Sequence, residues 1–86
     1  MTKKEYEDYY RQKGEDLMKY GIFPHSKTNR PDSIGCFFEN GLWHVYKVGE
    51  RQNFWIAFSG SEEEAYEKLK RMTEYEIAYY QRYSGY

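Results

Sequence analysis

Nucleophilic chemistry in this chain would have to come from Cys36, its single cysteine, with His25 or His44 as the base. A reactive thiol needs an exposed place beside such a base. Acid/base or metal chemistry would fall to Glu62, Glu63 and Glu64, which run consecutively. Neighbouring helix positions fan apart, however, and do not converge on one proton or ion. The three glutamates follow Ser61, and Ser-Glu-Glu-Glu is a capping box with carboxylates in the first turn, where the helix dipole favours negative charge. Capping accounts for all three. The chain has no Gly-rich phosphate loop, no paired-cysteine motif and no His-x-x-x-His spacing, and two histidines with one cysteine fall short of a structural zinc site. The expectation is a protein that is not an enzyme, with no catalytic residues, no cofactor and no metal.

The elements that position these residues follow from local pattern. Thr2-Lys3-Lys4-Glu5 has capping-box spacing, so a helix starts there. Tyr6, Tyr9, Tyr10, Leu17 and Tyr20 continue it at helical spacing across Gly14, with Gly21 as the left-handed residue beyond its last turn. Residues 24–33 have no period and contain two prolines, which reads as a loop. Ile34-Gly35-Cys36-Phe37-Phe38-Glu39, Asn40-Gly41 and Leu42-Trp43-His44-Val45-Tyr46-Lys47-Val48 form the strongest local signal, because Asn-Gly between strand-forming runs favours a type I′ hairpin.

The two-residue turn sets the register: Glu39 opposes Leu42, Phe38 opposes Trp43, Phe37 opposes His44 and Cys36 opposes Val45. One face then holds Cys36, Phe38, Trp43 and Val45, and the other Phe37, Leu42, His44 and Tyr46. On that register Cys36 is an inert core thiol, turned away from His44. After Gly49-Glu50-Arg51-Gln52-Asn53 comes a third strand, Phe54-Trp55-Ile56-Ala57-Phe58, with Phe54, Ile56 and Phe58 inward and Trp55 outward. A long helix begins at Ser61, with Ala65, Leu69, Met72, Tyr79 and Tyr83 on its core side, and Ser84-Gly85-Tyr86 fray at its end. The fold class is α+β: a three-stranded antiparallel β-meander flanked by an N-terminal and a long C-terminal α-helix, both on one sheet face.

Eighty-six residues make a single domain, 1–86. Hydrophobic residues are 40% of the chain and aromatics 21%, with 11 Tyr, 5 Phe and 2 Trp, so the core is built largely from rings. A net charge of −1 removes the electrostatic case for direct nucleic acid binding. No run approaches a membrane span, the N-terminus does not read as a secretion signal, and a lone cysteine fits a reducing, cytoplasmic location. Rings in this number exceed what one small core hides, and tyrosine and tryptophan are favoured binding anchors. The open sheet face bearing Phe37, His44, Tyr46 and Trp55 is therefore the candidate protein-binding surface, unless a helix crosses it or it closes a homodimer.

Cys36-Phe37-Phe38-Glu39-Asn40-Gly41-Leu42-Trp43-His44-Val45-Tyr46, then Gly49-Glu50-Arg51, then Phe58 with Ser61-Glu62-Glu63-Glu64-Ala65, resembles small immunity proteins of bacterial polymorphic toxin systems. The likeness covers about residues 34–72. That group tends to have Gly after Glu-Arg, where this chain has Gln52, and a different turn is expected there. The resemblance implies a non-enzymatic inhibitor that binds its cognate toxin in the cytoplasm and covers or deforms the toxin's active site. Partner-binding residues are then Glu39, His44, Tyr46, Glu50, Arg51 and Trp55, with Glu39, Glu50 or the Glu62 to Glu64 turn suited to the basic cleft of a nuclease toxin. The alternatives are a phage-encoded inhibitor of a bacterial defence nuclease, and a small ligand-binding protein that uses the aromatic face as a pocket.

Overall fold

The computed structural model describes residues 1–84, without the side chain of Ser84. The elements are α1 (Lys3–Gln12), β1 (Ile22–Phe23), β2 (Ser33–Glu39), β3 (Leu42–Val48), β4 (Phe54–Gly60) and α2 (Glu62–Ser84), with a 3-10 turn at Leu17–Tyr20. The fold is α+β, as the sequence implies, but the sheet has four strands in the order β1-β2-β3-β4 rather than three. The added strand, β1, pairs parallel to β2 through Ile22↔Ile34 and Phe23↔Gly35, so the sheet is mixed. Its cause is local. Gly21 takes φ 76° and its carbonyl accepts the Ile34 amide at 2.9 Å, which lays the next two residues along β2 before Pro24 ends the strand. Of the expected fraying at Ser84-Gly85-Tyr86, Gly85 and Tyr86 lie outside the described residues; α2 runs through Ser84.

Helix α1 also differs from its expected span. It begins on the foreseen capping box, with Thr2 Oγ1 accepting from the Glu5 amide at 3.2 Å and Glu5 Oε1 from the Thr2 amide at 2.7 Å. It stops at Gln12, because Gly14 adopts φ 71° and breaks the helical run. The second box forms as well, with Ser61 Oγ accepting from the Glu64 amide and Glu64 Oε1 from the Ser61 amide, both at 3.2 Å.

Both helices lie on one face of the sheet. Tyr6 and Tyr10 of α1, Ala65, Tyr66 and Leu69 of α2, and Ile22, Ile34, Cys36 and Val45 of the sheet form one buried cluster. Rings do supply much of this core, and hydroxyls tie it together: Tyr6 Oη and Thr73 Oγ1 lie 2.6 Å apart, and Tyr66 Oη donates to the Pro24 carbonyl at 2.5 Å. Tyr79 and Tyr83, expected on the core side of α2, are instead exposed. In the later turns of α2 the packed positions are Ile77, against the core cluster, and Tyr80, edge-on to Tyr20 at 5.0 Å, which leaves Tyr79 and Tyr83 beside the buried stripe rather than in it.

The β2–β3 register is the one the Asn-Gly turn dictates, from Ser33↔Val48 to Glu39↔Leu42, with Asn40 at φ 55° and Gly41 at φ 79° as a type I′ turn requires. The assignment of β4 fails. Val45 pairs with Phe58 but Tyr46 pairs with Ile56, so Ala57 is an extra residue, a β-bulge. Residues that pair across strands share a face. Phe58 therefore stands with Val45 on the helix side, Phe54 and Ile56 stand with Val48 and Tyr46 on the outer side, and Trp55, paired with Lys47, stands on the helix side. Strict alternation, on which the sequence reading rests, does not survive one inserted residue.

Candidate functional site

Four of the residues singled out from sequence belong to β3 and its two flanking turns. His44 is held from both ring nitrogens. Its Nε2 lies 3.0 Å from the Glu39 carbonyl oxygen and its Nδ1 2.7 Å from Ser59 Oγ. A carbonyl only accepts, so Nε2–H donates to it, and in the neutral ring Nδ1 takes the Ser59 hydroxyl proton. The imidazole is thus locked to β2 and β4 at the turn end of the hairpin. It lies 5.1 Å from the Phe37 ring centroid.

Tyr46 does not stand at an open surface, and the outer face is not open. The Tyr46 side chain is fully buried, and its hydroxyl donates to the Ser26 carbonyl at 2.7 Å. Burial pushes this phenol up to about 12. The loop between β1 and β2 folds across the outer face as a strap. Lys27 Nζ sits 5.0 Å from the Phe37 centroid and 5.9 Å from that of Phe54, in reach of a cation–π attraction, and 3.6 Å from Glu39 Oε1. Gln52 Nε2 donates to the Asn29 carbonyl at 3.4 Å. Phe37, Tyr46 and Phe54 form a second, smaller ring cluster under this strap, with Tyr46 stacked on Phe54 at 5.0 Å. Nothing in the composition of residues 24–32 foretold that they would cover a sheet face.

Glu50 and Arg51 are exposed on the turn between β3 and β4, at the far end of β3 from Glu39 and His44. Six residue steps separate His44 from Glu50, up to about 20 Å at 3.3 Å per residue, so one small ligand does not bridge the two groups. In that turn Gln52 takes φ 62°, the conformation glycine favours; the turn expected to differ for want of glycine instead puts glutamine in a glycine-like backbone. Trp55, expected beside His44 and Tyr46, lies on the opposite side of the sheet with its side chain 43% exposed at the β4 edge.

Two residues outside the expected set complete the hairpin end. Phe38 is 57% and Leu42 46% exposed. Leu42 shares the outer side with His44, and Phe38 stands on the helix side, against Trp43 at 5.1 Å. The sequence assigned Phe38 to the helix side correctly but not to its fate: Tyr66 of α2 packs on its cross-strand partner Trp43, at 5.5 Å between ring centroids, and leaves Phe38 itself exposed. Apolar side chains thus project on both sides of the tip, with Glu39 between them and a clamped imidazole behind.

Cys36 is fully buried, and burial pushes its thiol up to about 11, so at neutral pH it is an un-ionised core side chain. Among the described residues no three His, Cys, Asp or Glu gather as a metal site, and no helix is long and apolar enough to cross a membrane. A cleft of about 610 Å³ lies between α1 and β1, floored by Tyr10, Leu17, Ile22 and Pro24; at its rim His25 Nδ1 meets Glu7 Oε2 at 2.9 Å. Comparison with protein-family models, curated proteins and solved structures finds no match to the chain.

Proposed function

We propose that this chain is a non-enzymatic, protein-binding inhibitor of the immunity class, which neutralises a bacterial toxin in the cytoplasm by docking the end of its β2–β3 hairpin against the toxin. The observation that carries the reading is the hairpin tip, where Phe38 and Leu42 are exposed on opposite sides of a rigid two-residue turn. Binding energy concentrates in a few apolar or aromatic anchors ringed by polar groups, and the tip has that composition. His44, fixed at both nitrogens, loses little freedom on binding. Glu39 on the same end and the more distant Glu50 supply negative charge that orients a basic target. Tyr46 acts indirectly, by fixing the strap that backs this surface, and Trp55 is not part of it.

The test captures the partner from the native organism by pull-down, identifies it by mass spectrometry, and pairs the chain with it, scoring growth rescue in a bacterial host that expresses the partner and affinity by titration calorimetry. Phe38→Ala and Leu42→Ala are each expected to weaken binding about thirtyfold, the usual loss at a hot spot of 2 kcal/mol, with circular dichroism unchanged. Trp55→Ala is expected to bind as the natural chain does. Full affinity in both tip variants would overturn the assignment of the surface, and absence of rescue by the natural chain would overturn the immunity reading.

A further inference from the structure

Strand β4 is the unpaired edge of the sheet opposite β1. It is seven residues long, Phe-Trp-Ile-Ala-Phe-Ser-Gly, with no ionisable side chain and no proline. Trp55 is 43% exposed on the helix side, Ile56 is 42% exposed on the outer side, and Ala57 is exposed as well. Proteins blunt such edges with charge, proline, short length or a bulge, because an uncovered row of N–H and C=O groups templates another strand. Of these devices β4 has only the bulge at Ala57, which leaves pairing arms on either side of it.

The occupant is indicated by what flanks the edge. Beside β4 on the helix side runs a groove lined by Ala57, Phe58, Glu64, Glu67, Lys68 and Arg71. Its charged positions read acid, acid, base, base along α2. We propose that β4 pairs antiparallel with β4 of a second copy of this chain, extending the sheet across a two-fold axis. A two-fold normal to the sheet runs the two α2 helices antiparallel. Glu64 of one copy then comes opposite Arg71 of the other, and Glu67 opposite Lys68, because the four positions are symmetric about the midpoint of 67 and 68. Each pair occurs twice, as an isologous interface demands.

The spacing is suitable. With strands about 4.8 Å apart, a helix above β3 sits about 7 Å from an axis at the β4 edge, so the two helices stand about 14 Å apart. That is wider than the 8–10 Å of directly packed helices and suits long charged side chains meeting over a floor of Ala57 and Phe58. Lys68 and Arg71 have no ion-pair partner among the described residues, and β4 itself brings no charge to repel its copy.

Sedimentation equilibrium of the full chain over a concentration series tests the pairing, with hydrogen exchange of the β4 amides read at the two extremes. A concentration-dependent dimer whose β4 amides become protected as it forms is expected. Ile56→Lys, which puts the natural edge-blocking charge on β4, is expected to weaken the dimer at least tenfold. Glu67→Lys and Lys68→Glu each place like charges opposite one another and are expected to weaken it about fivefold, while an equimolar mixture of the two restores association by forming the mixed pair. A chain that stays monomeric at every concentration overturns the proposal. So does a dimer whose β4 amides exchange as in the monomer, or one in which the mixture associates no better than its components. The hairpin-tip reading survives any of these results, since it rests on other residues.

Discussion

On one face of the sheet two capped helices lay down a periodic set of rings over Ile34, Cys36 and Val45; on the other an aperiodic loop is drawn across Phe37, Tyr46 and Phe54. Tyrosine hydroxyls fasten both coverings. Tyr6 joins α1 to Thr73 of α2, Tyr66 joins α2 to the Pro24 carbonyl, and Tyr46 joins β3 to the Ser26 carbonyl. The two ties to main-chain carbonyls hold the start of the strap from opposite sides of the sheet, two residues apart. A loop that buries little apolar surface of its own is thus positioned by phenols that the sheet and helix contribute. The difference between the faces is one of redundancy. The helix side has many contacts behind each hydrogen bond, whereas the strap has few.

The largest effect that probes this comparison is alkaline unfolding. Burial raises the phenols of Tyr6, Tyr10 and Tyr66 on the helix side, and raises Tyr46 to about 12 and Cys36 to about 11. The unfolded chain ionises its tyrosines near 10, so the folded state binds more protons above that pH. Stability is therefore intact below about pH 9 and falls above it by about 1.4 kcal/mol per pH unit for each such group. Four tyrosines together set a slope of about 5 kcal/mol per unit near pH 11. Far-ultraviolet circular dichroism and tyrosinate absorbance, followed together, are expected to change in one step. Ionisation of all tyrosines near pH 10 with the helices intact would show that the rings are not sealed.

Gly35 comes next, because it lies between the two coverings. A Cβ there would collide with the Phe23 carbonyl oxygen and the Tyr46 ring, and neither yields cheaply: the first is backbone of β1, and the second is pinned to the strap. Gly35→Ala is expected to cost about 3 kcal/mol, the upper end for overpacking, in urea denaturation. A cost under 1 kcal/mol would mean that β1 and the strap shift freely.

The same contrast explains what could be read from the sequence. Asn40-Gly41 gave the β2–β3 register because a two-residue turn leaves only one pairing, and the capping boxes at Thr2 and Ser61 located both helix starts because their donors and acceptors are local. What stayed hidden was set at a distance. The bulge at Ala57 reversed the sides of Phe54, Trp55 and Ile56, and no residue in that run marks it, since alanine inserts without turn chemistry. The strap stayed hidden because His25, Ser26 and Lys27 carry no period, and its fastener, Tyr46, is twenty residues away. For the candidate site this meant that His44 stood on the outer side where the register put it, Tyr46 proved to be a buried tie, and Trp55, still exposed, moved to the other side of the sheet at the β4 edge.

Removing single hydroxyls compares the faces more finely. Tyr6→Phe strands the Thr73 hydroxyl, itself fully buried, and an unpaired buried polar group costs about 1–3 kcal/mol; about 2 is expected. Tyr46→Phe frees the Ser26 carbonyl, which belongs to an exposed residue that water can serve, so about 1 kcal/mol is expected. Hydrogen exchange distinguishes them beyond the magnitude: Tyr46→Phe should speed exchange in residues 24–32 alone, and Tyr6→Phe across both helices. Equal costs, or a global effect from Tyr46→Phe, would mean that the strap is as deeply coupled to the core as the helices are.

The smallest effect has the opposite sign. Tyr10 is almost completely buried, packed 4.9 Å from Tyr6 and 4.9 Å from Tyr9 between ring centroids, yet its hydroxyl alone among the buried side-chain polar atoms described has no hydrogen-bond partner. Folding strips water from that group without replacing it, and burial accordingly pushes its pKa upward, with Glu74 adding in the same direction. Phenylalanine keeps the ring and its packing and removes only the stranded oxygen. Tyr10→Phe is therefore expected to stabilise the chain by up to about 1 kcal/mol, read as a higher urea midpoint at unchanged slope, while the chemically identical change at Tyr6 destabilises. Two tyrosines one helical turn apart on α1 would then respond with opposite signs, which burial alone cannot produce. A loss of stability in Tyr10→Phe would mean that its hydroxyl has a partner, and Glu74, the nearest acidic influence on it from α2, would be the first side chain to remove in a double-mutant cycle.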